Sequence, residues 1–245
     1  MRSPLALASL FLVLNPSAAR AGDSVCWIEN GVLLVPAVVA GVNGVFILDT
    51  GAAQSQLDAT QASEADVGDA AVNGEVLLAG QAFAKVALQV LALDDRTRAF
   101  PTPIAGVLGS DILAGRVIEV RPDPCRVRLS RHGPHTPAEI TLPIELRGGV
   151  PYVRAGISDG ARSAVGAYRI DTGSGRSAAL ASASPVVLES GRLRALALGG
   201  ALFEAVPAER RQDASPAAIG EPIWSRFTLR LDYAARVLTL TPAAY

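Results

Sequence analysis

The chain is poor in the residues that mark several common kinds of site. Of its 245 residues only one is a lysine, Lys85, and the arginines are dispersed over a chain of net charge −1. No basic stripe is available to neutralise phosphates, which argues against a nucleic-acid partner. The two histidines, His132 and His135, have a His-x-x-His spacing without a Cys, Asp or Glu cluster beside them. We therefore expect no metal and no cofactor.

A long apolar run is also lacking. The run from Leu5 to Leu14 is too short to span a bilayer comfortably. It follows the positive start Met1-Arg2 and precedes Ala19-Arg20-Ala21, a small-x-small cleavage pattern. Residues 1–21 are therefore predicted to be a secretory signal peptide, with an uncleaved anchor as the alternative. Export to the periplasm or the medium follows, with no membrane contact once the signal is removed.

Cysteine is scarce as well, with Cys26 and Cys125 the only two. Because an exported chain meets an oxidising compartment, this pair is predicted to form a disulfide. Two buried thiols are the alternative.

Glycine and proline are plentiful, with 23 and 16 copies in a chain that is 50% hydrophobic. This composition predicts an all-β fold of many short buried strands separated by turns. Apolar and polar residues alternate in Val86 to Leu91 and in Thr228 to Tyr233, as half-buried strands require. Only two short helices are predicted, Asp58 to Glu64 and Ser182 to Ser190.

The tripeptide Asp-Thr-Gly occurs twice, as Asp49-Thr50-Gly51 and Asp171-Thr172-Gly173, at positions 122 apart. Each copy ends an apolar, strand-like run. Three other features repeat around it in the same order. Val35-Pro36 matches Val150-Pro151, Leu78 to Phe83 matches Leu198 to Phe203, and Val107-Leu108-Gly109 matches Ala218-Ile219-Gly220. A repeat of more than one hundred residues predicts two lobes, each supplying one carboxylate to a shared site.

These paired motifs resemble those of the pepsin/retropepsin-like aspartic peptidases. The resemblance covers roughly residues 30 to 242 and implies a bilobal, pseudo-symmetric fold of two β-barrel-like lobes with a cleft between them. We expect an N-terminal lobe over 22–131, an interlobe linker over 132–139 and a C-terminal lobe over 140–245. With both lobes on one chain, the protein is expected to act as a monomer.

The resemblance also assigns roles to the motif residues. Asp49 and Asp171 would share one proton and activate a water molecule against a peptide carbonyl. Thr50 and Thr172 would brace the two loops across the lobe interface. Gly51 and Gly173 would let the backbone approach the carboxylates and donate N–H groups. Ser174 would donate a hydrogen bond to the outer oxygen of Asp171, so that Asp171 carries the charge and Asp49 the proton.

The expected function is that of an exported aspartic endopeptidase acting on a peptide or protein substrate. The segment Ala70 to Glu75 could form only a short lid, which leaves open a catalytically inactive peptide-binding or adaptor protein on the same fold. An unrelated exported β-domain, in which both motifs are mere turns, is a third alternative. Arg176, if it lies near the cleft, could favour acidic side chains in the substrate.

Overall fold

The structure, a computed structural model, describes residues 22–68, 71–131 and 138–243. The predicted signal peptide, 1–21, and the part of the predicted linker that carries His132 and His135 lie outside the described residues. None of the helices in the described part of the chain is long and apolar enough to cross a bilayer.

The first half is built of ten short strands and two short helices. The strands are β1 (Gly22–Val25), β2 (Trp27–Glu29), β3 (Val32–Val39), β4 (Val42–Leu48), β5 (Gln56–Asp58), β6 (Val72–Leu78), β7 (Gln81–Leu91), β8 (Ile104–Leu108), β9 (Val117–Pro122) and β10 (Cys125–Ser130). The helices are α1 (Ala59–Glu64) and α2 (Asp94–Thr97).

The second half repeats this plan with nine strands and one helix. They are β11 (Ile140–Arg147), β12 (Val150–Ser158), β13 (Ser163–Asp171), β14 (Ala178–Leu180), β15 (Arg192–Leu198), β16 (Ala201–Arg210), β17 (Ala218–Gly220), α3 (Glu221–Trp224), β18 (Phe227–Asp232) and β19 (Val237–Pro242). The predicted all-β class is confirmed.

The two halves pair their strands by one scheme, as the repeated landmarks predict. In the first half β4 runs parallel to β8, β5 runs parallel to β7, and β3 closes the sheet onto β6. In the second half β13 runs parallel to β17, β14 runs parallel to β16, and β12 closes the sheet onto β15. Each half therefore forms a barrel-like sheet, and the strands that carry the two Asp-Thr-Gly copies occupy matching places.

An antiparallel sheet of six strands joins the halves and continues through β11 into the sheet of the second half. Its strand order is β1-β10-β9-β18-β19-β11, with three strands from each half. Buried side chains from both lobes and from this sheet form one continuous apolar core, which includes Phe46, Ile118, Trp224 and Leu231. The sheet therefore fixes one lobe relative to the other, as a site shared between lobes requires.

The predicted disulfide is confirmed. Cys26, between β1 and β2, is bonded to Cys125 at the start of β10, 99 positions away. The bond links the beginning and the end of the first half.

One of the two predicted helices is present. Asp58 caps α1 by accepting hydrogen bonds from the N–H groups of Thr60 and Gln61. The other prediction, a helix over Ser182 to Ser190, is wrong. Pro185 removes a helical donor there, and the Arg210 guanidinium takes the carbonyl groups of Ala181, Ser182, Ser184 and Val186.

Candidate active site

Two matching strands deliver the aspartates to the junction of the lobes. Asp49 directly follows β4, and Asp171 is the last residue of β13. The parallel neighbour of each strand supports the turn from below: the Asp49 N–H donates to the Leu108 carbonyl (2.9 Å), and Asp171 is in register with Gly220. Only glycine fits at position 220, since a Cβ there would lie 2.6 Å from the Ser174 carbonyl oxygen.

The two threonines join the lobes through reciprocal hydrogen bonds. The N–H of Thr50 donates to Oγ1 of Thr172 (3.1 Å), and the N–H of Thr172 donates to Oγ1 of Thr50 (3.3 Å). Each hydroxyl also donates across the interface, from Thr50 to the Ile170 carbonyl (2.7 Å) and from Thr172 to the Leu48 carbonyl (2.6 Å). Both side chains are buried. The network fixes the relative position of the loops that carry the aspartates.

The glycines bring each carboxyl group against the opposite loop. A Cβ on Gly51 would lie 2.8 Å from Cγ of Asp171, and a Cβ on Gly173 would overlap the carboxyl group of Asp49. The N–H groups of Gly51 and Ala52 donate to Oδ1 of Asp49 (2.7 and 3.1 Å). Both aspartates are only 4% exposed. The result is a pair of converging buried carboxyl groups.

Each carboxyl group also meets an arginine that sequence reasoning missed. Nη2 of Arg169 donates to Oδ2 of Asp171 at 2.7 Å, and Nη2 of Arg96 donates to Oδ2 of Asp49. Arg169 lies two residues before Asp171 on the same strand, so both side chains are on one face. Aligning the halves would have revealed this arginine, because its counterpart 122 positions earlier is the apolar Ile47. Arg96 comes from α2, and no pattern in the sequence places α2 over the site.

Ser174 does not have the expected partner. Its Oγ accepts a hydrogen bond from the Arg176 N–H (3.3 Å), while Arg169 occupies the outer oxygen of Asp171. Burial and the neighbouring charge of Asp49 raise the pKa of Asp171 to about 6, against the opposing effect of Arg169. This direction favours the proton on Asp171, the reverse of the sequence-based expectation. The reason is that burial outweighs the hydrogen bonds to the charged form.

The carboxyl pair lies in an open cleft with a volume of about 1030 Å³. None of residues 71–75, the described part of the segment considered for a short lid, lines this cleft. The segment that follows β7 lines it instead, through Asp95, Arg96, Ala99 and Phe100. Between Gly51 and Gly80 the chain forms β5, α1 and one further strand, β6. In that interval the described residues contain no separate hairpin that could close over the aspartates.

Metal ligands do not gather here. Over the ranges 22–68, 71–131 and 138–243, no group of three or more His, Cys, Asp or Glu side chains is arranged to hold an ion. The chemistry that the described site offers is that of two carboxyl groups, the N–H groups beside them and two guanidinium groups.

The comparison with solved structures agrees with this geometry. The chain is similar to the aspartic proteinase from Irpex lacteus, with a TM-score of 0.58 and 12% identity, over 92% of this chain and 98% of that one. No family model matches the sequence, and no curated protein matches it. At this identity the likeness shows the fold, which is the bilobal all-β fold of pepsin-like aspartic proteinases.

Proposed function

We propose that this protein is an exported aspartic endopeptidase that hydrolyses peptide bonds with a water molecule activated by Asp49 and Asp171. The observation that supports the proposal best is the convergence of two buried carboxyl groups, one from each half, held by reciprocal threonine hydrogen bonds. The Cys26–Cys125 disulfide and the apolar N-terminal pattern support export.

The environments of the two carboxyl groups suit them to different catalytic roles. Asp49 accepts hydrogen bonds from two N–H groups and from Arg96, and a carboxylate that accepts from these donors suits the general base. Asp171, whose pKa is raised to about 6 by burial, keeps a proton at acid pH and suits the general acid. Two groups of one chemical type thus receive opposite roles.

In this mechanism the two carboxyl groups and one water molecule carry out the whole reaction. Water attacks the carbonyl carbon while its proton passes to Asp49, and Asp171 gives its proton to the carbonyl oxygen, which yields a tetrahedral diol. Asp49 then protonates the leaving nitrogen, Asp171 takes a proton from one hydroxyl group, and the C–N bond breaks. The products are a carboxylic acid and an amine, and the pair returns to its starting protonation state.

Arg96 has to release Asp49 for the base to receive a proton from water. Its side chain is 34% exposed, and α2 is a four-residue helix without a side-chain N-cap bond. The guanidinium at Asp49 therefore acts as a removable counter-ion.

A second candidate function is peptide binding without turnover on the same fold. The observation that favours it is that Oδ2 of each aspartate accepts a hydrogen bond from an arginine, Arg96 at Asp49 and Arg169 at Asp171. In that case the cleft would bind a peptide while both carboxylates stay charged and unable to donate a proton.

A peptide-library digest separates the two candidates. The chain from Gly22 to Tyr245 is incubated with the library from about pH 3 to about pH 8, beside Asp49→Asn and Asp171→Asn. We expect cleavage by the wild type, its inhibition by pepstatin, and loss of roughly a thousandfold or more in either variant. Equal cleavage by wild type and variants would reveal a contaminating protease. Tight peptide binding by all three proteins without cleavage would establish the second candidate.

A further inference from the structure

One guanidinium group of the cleft, that of Arg211, interacts only weakly with an acid: its charge helps to lower the pKa of the exposed Asp213, without an ion pair between the two. Four arginines line the cleft: Arg96, Arg169, Arg176 and Arg211. The first two pair with the aspartates, and Nε of Arg176 lies 3.0 Å from Oε2 of Glu209. For Arg211 the described part of the chain provides neither an ion pair nor a side-chain hydrogen bond, and its buried Nε has no partner. This side chain therefore has unused donors in a site where substrate would lie.

The local backbone explains why Arg211 faces the cleft. Its N–H donates to the Leu180 carbonyl (2.9 Å), which continues the parallel pairing of β14 with β16 by one residue. Neighbouring residues of an extended chain point to opposite sides. Arg210 accordingly turns away and is fixed by the carbonyl groups of the 181–186 loop. Glu209, on the same side as Arg211, also lines the cleft.

The charges around the cleft favour an anion at this position. The pairs Arg96–Asp49 and Arg176–Glu209 are neutral, and Asp171 carries a proton at acid pH. Asp95, the other acidic residue of the lining, lies 3.5 Å from Arg98 and is balanced by it, so Arg169 and Arg211 leave the cleft with a net positive charge. A carboxylate is the peptide group that fits a guanidinium best, since it accepts two parallel hydrogen bonds. Arg176 contributes less because its side chain is 69% exposed.

We propose that Arg211 binds a carboxylate group of the substrate, so that the cleft selects acidic peptides. The proposal rests on the proposed endopeptidase function and names its substrate class. The carboxylate can come from a Glu or Asp side chain or from the end of a peptide chain, and the chemistry at Arg211 is the same in both cases. Arg211 is thus a specificity-determining residue that takes no part in proton transfer.

Three versions of one cleaved peptide test the proposal. The first carries Glu at a position near the scissile bond and has an amidated C-terminus, the second carries Gln there, and the third combines Gln with a free C-terminal carboxylate. We measure kcat/KM for wild type, Arg211→Gln and the control Arg121→Gln, which alters an exposed arginine outside the cleft. In wild type and control, kcat/KM for at least one of the two peptides that carry a carboxylate should exceed that of the amidated Gln peptide by about tenfold or more. In Arg211→Gln this preference should be lost while hydrolysis of the neutral peptide is retained.

The outcomes separate this proposal from the proposed function. Equal kcat/KM values for charged and neutral peptides in the wild type would overturn the role of Arg211, as would an equal loss on all peptides in Arg211→Gln. Cleavage of the neutral peptide that Asp171→Asn abolishes would still support the endopeptidase. If no peptide is cleaved, calorimetric affinities for the same peptides decide: tighter binding of a charged peptide that Arg211→Gln removes supports the site, and equal affinities overturn it.

Discussion

The ion pair between Arg169 and Asp171 sets the pH range over which Asp171, the general acid of the proposed mechanism, keeps its proton. Its atoms lie 2.7 Å apart on the face of one strand, and both side chains are largely buried. A cation this close lowers the pKa of a carboxyl group by about 1 to 3 units. The pKa of Asp171 is about 6 with the arginine in place. Replacing Arg169 by methionine, which keeps much of the side-chain volume, is therefore expected to raise that pKa further.

The sign of the kinetic effect follows from the role of the proton. In the proposed mechanism, peptide hydrolysis requires Asp171 to be protonated, so activity should fall as the pH rises through its pKa. The alkaline limb of the kcat/KM profile should therefore move upward by about 1 to 3 pH units in Arg169→Met. Arg169→Lys keeps a positive charge and should move the limb less. The profile is measured on one peptide with all three proteins.

An unshifted alkaline limb in Arg169→Met would refute this reasoning, provided that the variant melts as cooperatively as the wild type. A shift of the same size in the lysine variant would also count against it, because the charge would then not be the cause. If turnover is too slow for kinetics, carbon-13 NMR of labelled aspartate carboxyl groups follows the same titration directly.

Three further changes test the frame around the site. Replacing Cys26 and Cys125 by alanine opens a loop with a separation of 99 residues, and should cost about 4 to 5 kcal/mol and lower Tm by roughly 10 to 20 °C in calorimetry; an unchanged Tm would contradict this. Burial raises the pKa of Glu221, so the native state binds its proton more tightly and stability falls as the pH rises above the ordinary range of a glutamate. Glu221→Gln should flatten this decline in Tm, whereas the exposed Glu204→Gln should not. Thr172→Val removes the hydrogen bonds of the Thr172 hydroxyl with the Thr50 N–H and the Leu48 carbonyl, and should cost roughly 2 to 5 kcal/mol in denaturant unfolding. A loss below about 1 kcal/mol would count against the threonine network as a link between the lobes.

The duplicated landmarks made the strand scheme predictable. The repeated order of Asp-Thr-Gly and a later apolar-apolar-glycine element predicted two halves of one plan, and the matching parallel pairs β4–β8 and β13–β17 show that plan. Because the strands are short and buried, turn residues and apolar runs are enough to predict where most of them begin and end. The same local rules failed at Ser182 to Ser190, because a distant side chain, that of Arg210, satisfies the carbonyl groups there.

The electrostatics of the site could not be derived from the motifs. Arg96 reaches Asp49 across 47 positions of sequence, and only the folded path of the chain after β7 brings it there. In the sequence, Arg169 is one polar residue in a strand of alternating pattern, and nothing beside it indicates that it pairs with Asp171. The expectation for Ser174 failed for the same reason, since it weighed one hydrogen bond without the buried surroundings and the arginine beside Asp171. Motif spacing therefore located the carboxyl groups but not their protonation.

The central sheet has a further consequence for how the halves recognise each other. Where β9 meets β18, Glu119 stands opposite Arg230, and these two residues occupy equivalent positions in the duplicated plan, 111 apart like the two late glycines. A residue of one half thus faces its own counterpart. Two identical copies of the first half, docked by the same edge, would set glutamate against glutamate, an unfavourable like-charge pair. Opposite charges at the symmetry axis thus favour the mixed partnership over self-pairing of either half.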